Sequence, residues 1–242
     1  RNSIDNPMFP TTGSTLSLSL TMTPPYSLIS NRAYLKDAAT RYKYVELMKW
    51  MIDTKFYLKL IGSKKLEGGR SLVLETKAHF GLIGSYSNAA PPGPFERFLL
   101  GGDGLAGGFQ SFVLGQDIIG LRGYPNNRIT PPNYAANQAP TGNQLQGGIV
   151  YTKLGLELRY PVTTGQSATI YGFVFTEGGN NWASFREFNP FKIYKSAGAG
   201  VRLFMPAFGL IGLNWAYGFD TLPGATQRSG PQFHFTIGQQ IR

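Results

Sequence analysis

Hydrophobic and polar residues alternate with period two along much of this chain. In Gly13–Thr23 (GSTLSLSLTMT), Leu16, Leu18, Leu20 and Met22 fall on one set of alternate positions, and serines and threonines fill the other. Successive side chains of a β-strand point to opposite faces, whereas a helix would scatter both sets around its circumference. The segment is therefore predicted to be a strand with one apolar face and one small polar face.

The same alternation predicts further strands at Arg70–Tyr86, Ile149–Tyr160, Lys195–Pro206, Gly209–Phe219 and a final segment from Gln232 to Ile241. Tyr42–Leu60 contains helix formers, but its even positions from Met48 to Leu60 are mostly apolar, which favours a long strand. Ala168–Glu177 is apolar on both faces, so its facing stays open. The total is about eight strands, each near the length that a tilted strand needs to cross a bilayer.

The polar faces of these strands indicate a membrane barrel rather than a soluble sandwich. Lys153, Glu157 and Arg159, for example, alternate with Leu154 and Leu156. A face that mixes glycine, serine, lysine and glutamate packs poorly as a dry core but suits a hydrated lumen. The fold class predicted is all-β, a transmembrane antiparallel β-barrel with one face toward lipid and the other toward water.

Composition narrows the choice of partners. No window of about 20 apolar residues exists, so the sequence contains no candidate transmembrane helix. Charged residues make up only 15% of the chain, against about 25% in soluble domains. The net charge of +10 could indicate nucleic-acid binding, but Lys49, Lys55 and Lys59 share one face of a single predicted strand. We therefore expect no nucleic-acid partner, since a basic excess alone is a weak indication of one.

The sequence offers no set of residues for catalysis or cofactor binding. There is no cysteine, and two histidines, His79 and His234, cannot form a metal site alone. The glycine run at 101–108 lacks the Gly-Lys-Ser/Thr of a phosphate loop and is better explained as a turn that needs positive φ. No Gly-x-Ser-x-Gly elbow occurs. We expect no enzymatic activity, no metal and no cofactor, with both histidines on the lumen face.

A long stretch rich in glycine, proline and asparagine, residues 87–148, separates the third predicted strand from the next. A loop of this length is expected to be functional, either capping the barrel opening or folding into it. It carries Leu121, Arg122, Gly123 and Tyr124. An arginine among apolar neighbours is costly to bury unless acids receive it through paired hydrogen bonds. The alternative is an exposed turn arginine.

Five segments together resemble the C-terminal half of the BamA family of outer-membrane assembly and translocation barrels. They are FERFLLGGDG (95–104), LRGYP (121–125), LGLELRYP (154–161), FVFTEGG (173–179) and FHFTIGQQIR (233–242). The most specific of them is Leu121–Tyr124, which is similar to the family motif Val-Arg-Gly-Phe/Tyr. The opening SIDNPMFPTTG (3–13) is similar to the turn before the family's ninth strand.

The resemblance implies that residues 1–242 are strands nine to sixteen of a sixteen-stranded barrel, with the first eight strands and the POTRA domains upstream. It implies that the loop tucks into the lumen, where Arg122 meets Glu157 and Glu177. It also implies that the last strand lines one side of a lateral seam, with Phe233, Phe235, Ile237, Gly238 and Ile241 in that strand.

The function implied is an insertase that assembles outer-membrane β-barrel proteins by β-augmentation at this seam. The expected partners are nascent outer-membrane β-barrel proteins, accessory lipoproteins and outer-membrane lipid, in a Gram-negative-type cell. Two alternatives stay open. One is a related transporter of the two-partner-secretion or translocation-assembly type, and the other is a passive porin.

Overall fold

The computed structural model describes residues 1–29, 44–61, 70–87, 92–93, 96–104, 117–129, 131, 147–164, 168–205 and 209–237. The elements in chain order are β1 (Gly13–Met22), α1 (Tyr26–Ile29), β2 (Met48–Ile61), β3 (Leu72–Gly84), β4 (Leu99–Leu100), β5 (Ile118–Ile119), β6 (Val150–Thr164), β7 (Thr169–Trp182), a 3-10 turn (Phe185–Glu187), β8 (Tyr194–Met205), β9 (Gly209–Thr221) and β10 (Arg228–Ile237). In this part of the chain, no helix is both long and apolar enough to cross a membrane.

Eight of the strands form one antiparallel sheet in the order β1-β2-β3-β6-β7-β8-β9-β10. Each strand pairs with the next one in the chain, apart from β4 and β5, which lie in the connection between β3 and β6. Among the described residues, β1 and β10 each pair with a single strand and so form the two edges of the sheet. The predicted all-β class and the number of strands are confirmed.

The two faces of the sheet differ as the alternation predicts. The inner face carries buried polar side chains such as Lys77, Glu157 and Arg202, whereas the outer face exposes apolar ones such as Leu156 and Leu213. Buried charges require compensating partners, while exposed leucines on a continuous face favour contact with lipid.

The strand boundaries correct three of the predictions. β2 begins at Met48 instead of Tyr42, because its partner β1 ends at Met22, which pairs with Met48. β7 continues past Glu177 to Trp182, where it pairs with the first residue of β6. β10 begins at Arg228, earlier than predicted, because its pairing with β9 starts there. The predicted strand residues 238–241 lie outside the described part.

The described parts of the long loop pack against the inner face. β4 and β5 form a short parallel pair that the sequence did not predict. Their apolar side chains join those of neighbouring loop residues and of the inner wall in one cluster, which includes Phe98, Leu100, Leu121, Tyr124, Ile129, Ile83, Met51 and Tyr151. Phe98 meets Tyr151 of β6 edge to face, with ring centroids 4.6 Å apart. Of the two expectations for this loop, folding inward is the one observed for residues 96–104 and 117–129.

The connection between β7 and β8 folds back over the outer face. The Phe188 ring packs on Phe80 and Trp182 at centroid distances of 5.9 and 4.9 Å. The Asn180 side-chain amide donates to the backbone oxygen of Lys192 at 2.7 Å. The connection leaves Phe191 89% exposed. The connection therefore packs one aromatic ring, Phe188, on the outer face and leaves another, Phe191, exposed.

Candidate functional site

Arg122 lies at the centre of the packed loop and is buried, with only 1% of its surface exposed. Its Nη2 lies 2.5 Å from Oε1 of Glu177 and 3.2 Å from Oε2 of Glu157. Its backbone N–H donates to Oε2 of Glu177 at 3.2 Å. One carboxylate thus receives both the backbone and the side chain of Arg122, and the alternative of an exposed turn arginine is wrong.

The inner face of β7 completes the pocket around this guanidinium. Phe173, Phe175 and Glu177 all point inward and are buried, which fixes the facing that the sequence had left open. The guanidinium carbon of Arg122 lies 3.4 Å from the ring centroid of Phe175. A cation over an aromatic face is attracted by the ring quadrupole, most strongly where water is excluded. Gly155 of β6 lies opposite Glu177 in the register.

Glu157 is also shared by cations from other strands. Arg202 Nη1 and Arg159 Nε each lie 2.7 Å from its Oε1, and Lys77 Nζ lies 3.7 Å from its Oε2. Lys77 and Arg159 also pair with Glu75. Buried charges persist only where they are paired and hydrogen-bonded. The sequence predicted Glu157 beside Lys153 and Arg159, but it did not predict that Lys77 and Arg202 converge on the same carboxylate.

The remaining motif residues anchor the loop on the last three strands. Gly123 adopts φ of 89°, its N–H donates to Nε2 of His234 at 2.9 Å, and its carbonyl accepts from Oγ of Ser229 at 2.7 Å. The Tyr124 hydroxyl donates to the backbone oxygen of Lys195 at 2.5 Å. Burial raises the pKa of the Tyr124 phenol above its ordinary value, so this group stays a neutral donor. Leu121 is fully buried in the loop cluster.

The predicted seam residues occupy a different surface. Phe233 and Phe235 point outward from β10 and are exposed. Ile237 pairs with Ile211 of β9, and Gly238 and Ile241 lie outside the described residues. The structure therefore brings Arg122, Glu157 and Glu177 together on the inner face, with the seam aromatics on the outer face of the edge strand.

Both histidines lie on the inner face, where the alternation places them. His79 Nδ1 is 2.6 Å from Oδ1 of Asp53, and His234 contacts the loop. The role of His234 as a partner of the motif was missed, because it depends on the packing of two segments more than 100 residues apart in sequence. Within the described ranges, no group of three or more His, Asp or Glu side chains is placed to hold a metal ion.

Comparison with known proteins identifies the family. Residues 1–241 match the Omp85 superfamily domain. Among solved structures, the chain is similar to BamA from Haemophilus ducreyi lacking POTRA domains 1–3, with a TM-score of 0.61 and 18% sequence identity. That likeness, which concerns the fold, covers 96% of this chain and 40% of the BamA chain, so this chain spans less than half of that structure. No curated protein matches the sequence significantly. Since the family match extends over nearly the whole sequence, the chain belongs to the Omp85 superfamily.

Proposed function

We propose that this chain is the C-terminal half of an outer-membrane β-barrel domain, strands nine to sixteen of sixteen, with the first eight strands and the POTRA domains upstream. We further propose that the complete protein is an insertase that helps nascent outer-membrane β-barrel proteins to fold, together with accessory lipoproteins. The observation that carries the proposal is the docking of Leu121–Tyr124 on the inner face, through Arg122, Glu157 and Glu177, in a member of the Omp85 superfamily.

The edge strand β10 supplies the physical basis for insertion. An unpaired strand edge presents backbone N–H and C=O groups that can template a further strand. On β10, Phe233 and Phe235 face outward, while His234 and Thr236 face inward and are buried. A client strand with the same alternation would extend both faces at once, keeping its apolar side chains in lipid. This template needs no nucleotide, metal or covalent step.

The docked loop supports the same role by holding the inner wall in one shape. Arg122 links β6 and β7 through their two glutamates, and Tyr124 reaches β8 at Lys195. A rigid template loses less conformational entropy when a client pairs with it. The packed apolar loop cluster also occupies space on the inner face that a passive porin would leave to water.

A disulfide across the seam tests the proposal. In the full-length protein, Phe233→Cys is combined with a cysteine on the first barrel strand, and folding of an outer-membrane client is followed in proteoliposomes. Oxidation should stop client folding, and reduction should restore it. The matched control joins two outward, register-paired positions of β9 and β10, Leu213→Cys with Phe235→Cys, which leaves the seam free.

Each outcome of this experiment points to one function. Normal client folding with the seam fully crosslinked would refute insertion at the seam. If, in addition, the same crosslink stopped export of a dedicated soluble partner, the related transporter would be the function. A steady large conductance in planar bilayers, unaffected by the crosslink, would identify a porin.

A further inference from the structure

The loop motif contacts not only the wall but also the edge strand itself. Both backbone polar groups of Gly123 are bound by side chains of β10, the N–H by His234 Nε2 at 2.9 Å and the carbonyl by Ser229 Oγ at 2.7 Å. His234 and its acceptor nitrogen are buried on the inner face, where a lost hydrogen bond is not replaced by water. A single loop residue is thus held from two directions by one strand.

The backbone of the last hairpin is shaped for this contact. The pairing of β10 with β9 shifts register between Arg228 and Gly230. Strict alternation would turn Ser229 outward, like Phe233 and Phe235, but at the register shift its hydroxyl reaches the loop. Irregularities of this kind re-aim a side chain and are found at sheet edges.

Close packing leaves little room for the loop to sit anywhere else. A Cβ on Gly218 of β9 would lie 2.3 Å from the Gly123 carbonyl oxygen, and a Cβ on Gly123 would lie 2.8 Å from Cβ of Ser196. Gly123 also has a positive φ, which favours glycine. The main chain of the loop therefore rests directly on the β8–β10 wall, where the two β10 side chains bind it.

We propose that Ser229 and His234 form a latch that couples docking of the Leu121–Tyr124 loop to the position of the edge strand β10. Displacing β10 from the sheet breaks both latch bonds, and undocking the loop removes two bonds that hold β10. The loop is anchored independently at Glu157 and Glu177, so the latch transmits the state of that ion-pair site to the seam strand. The coupling is structural. Its consequence for client folding rests on the proposed function.

The latch is tested in the full-length protein in nanodiscs by hydrogen exchange of the Gly123 amide, resolved by fragmentation of the loop peptide. His234→Phe removes the acceptor and Ser229→Ala removes the donor, and each should speed this exchange roughly three- to tenfold, as for one buried hydrogen bond. His234→Gln keeps an acceptor at similar reach and should restore protection. The matched control is Thr236→Val, since the Thr236 hydroxyl bonds within the β9–β10 pair, to the backbone oxygen of Gly212.

A second measurement tests transmission to the seam. Arg122→Met, which frees the loop from Glu157 and Glu177, should speed exchange of β10 amides in the otherwise native protein. In a Ser229→Ala, His234→Phe background, Arg122→Met should cause little further increase in β10 exchange, because both latch bonds are already absent. Faster loop exchange with unchanged β10 exchange in the native background would overturn the coupling.

Client folding then separates this inference from the proposed function. If the native protein folds clients, the latch variants should do so at least threefold more slowly, because the template strand is no longer held. Unchanged folding rates would overturn the link between latch and seam. If the native protein folds no client at all, the proposed function fails, while the exchange experiments still decide whether the latch exists.

Discussion

Arg122→Met is expected to undock the loop, and the structure gives the size of the effect. The substitution keeps the volume of the side-chain stem but removes the charge that faces Glu157 and Glu177. Glu157 retains the ion pairs from Arg159 and Arg202, whereas among the described residues Glu177 retains a cation only in Lys153, at 3.7 Å. The main cost therefore arises at Glu177, a buried carboxylate that loses its closest partner.

Removing one partner of a buried ion pair typically costs about 3–5 kcal/mol. The docked state of the loop should lose stability by about this amount, since undocking lets water reach the uncompensated carboxylate. Each 1.4 kcal/mol is a factor of ten in an equilibrium. Exchange of the loop amides should thus accelerate by roughly 100- to 4000-fold, or until the unprotected rate is reached.

Hydrogen exchange of the loop in the full-length protein measures this directly. The matched control is Arg128→Met, an exposed arginine of the same loop, which should change exchange by no more than about twofold, as surface substitutions do. The double variant Arg122→Met, Glu177→Gln should destabilise the docked loop by less than the sum of the two single variants. Both charges are then removed, so neither is left buried without its partner. An Arg122→Met effect no larger than that of the control would refute the account of the ion-pair site.

Gly218→Ala tests the packing of the loop on the inner face, and Phe191→Cys tests the contact of the β7–β8 connection with lipid. Gly218→Ala places a Cβ 2.3 Å from the Gly123 carbonyl oxygen, so trypsin should cut the loop faster. Gly172→Ala should leave cleavage unchanged, because its Cβ would come no closer than 4.0 Å to a neighbouring atom, the Gly200 carbonyl oxygen. Equal cleavage of the two variants would exclude a steric cause. A fluorophore on Phe191→Cys should be quenched by brominated lipids in nanodiscs, because Phe191 is exposed beside the apolar outer face. A fluorophore on Ala225→Cys, in the β9–β10 turn, should be quenched less, and equal quenching would contradict membrane contact.

The alternation of apolar and polar residues predicted the strands because the face to which a strand side chain points depends only on its position along that strand. In the strand that contains Glu157, the polar residues were correctly assigned to the inner face and the leucines to the outer face. Strand ends were predicted less well, because they depend on where the partner strand stops. Met48 begins β2 where both of its partner strands stop, at Met22 of β1 and Gly84 of β3.

The facing of β7 could not be predicted from the alternation of its residues. Its inner face is apolar at Phe173 and Phe175, so the sequence alone did not distinguish it from the outer face. The structure explains these residues as supports for the guanidinium groups of Arg122 and Arg202. The strand whose facing was ambiguous supplies Glu177, one of the two acids that receive the loop arginine. Contacts such as Arg202 with Glu157, or His234 with Gly123, depend on the register across several strands. No pattern in the sequence around these residues indicates them.

The position of the loop in the chain bears on the order in which the eight-stranded sheet and the loop assemble. Among the described residues, the wall groups that form hydrogen bonds with Arg122, Gly123 and Tyr124 all follow the loop in sequence. They lie at Glu157, Glu177, Lys195, Asn214, Asp220, Ser229 and His234. The loop is synthesised before its receptor exists, and closing such distant contacts is slow. Until β6 and β7 have paired, Arg122 has no acids to receive it and is best left in water. Complete docking is therefore a late step, because Gly123 is held by Ser229 and His234 of the last strand.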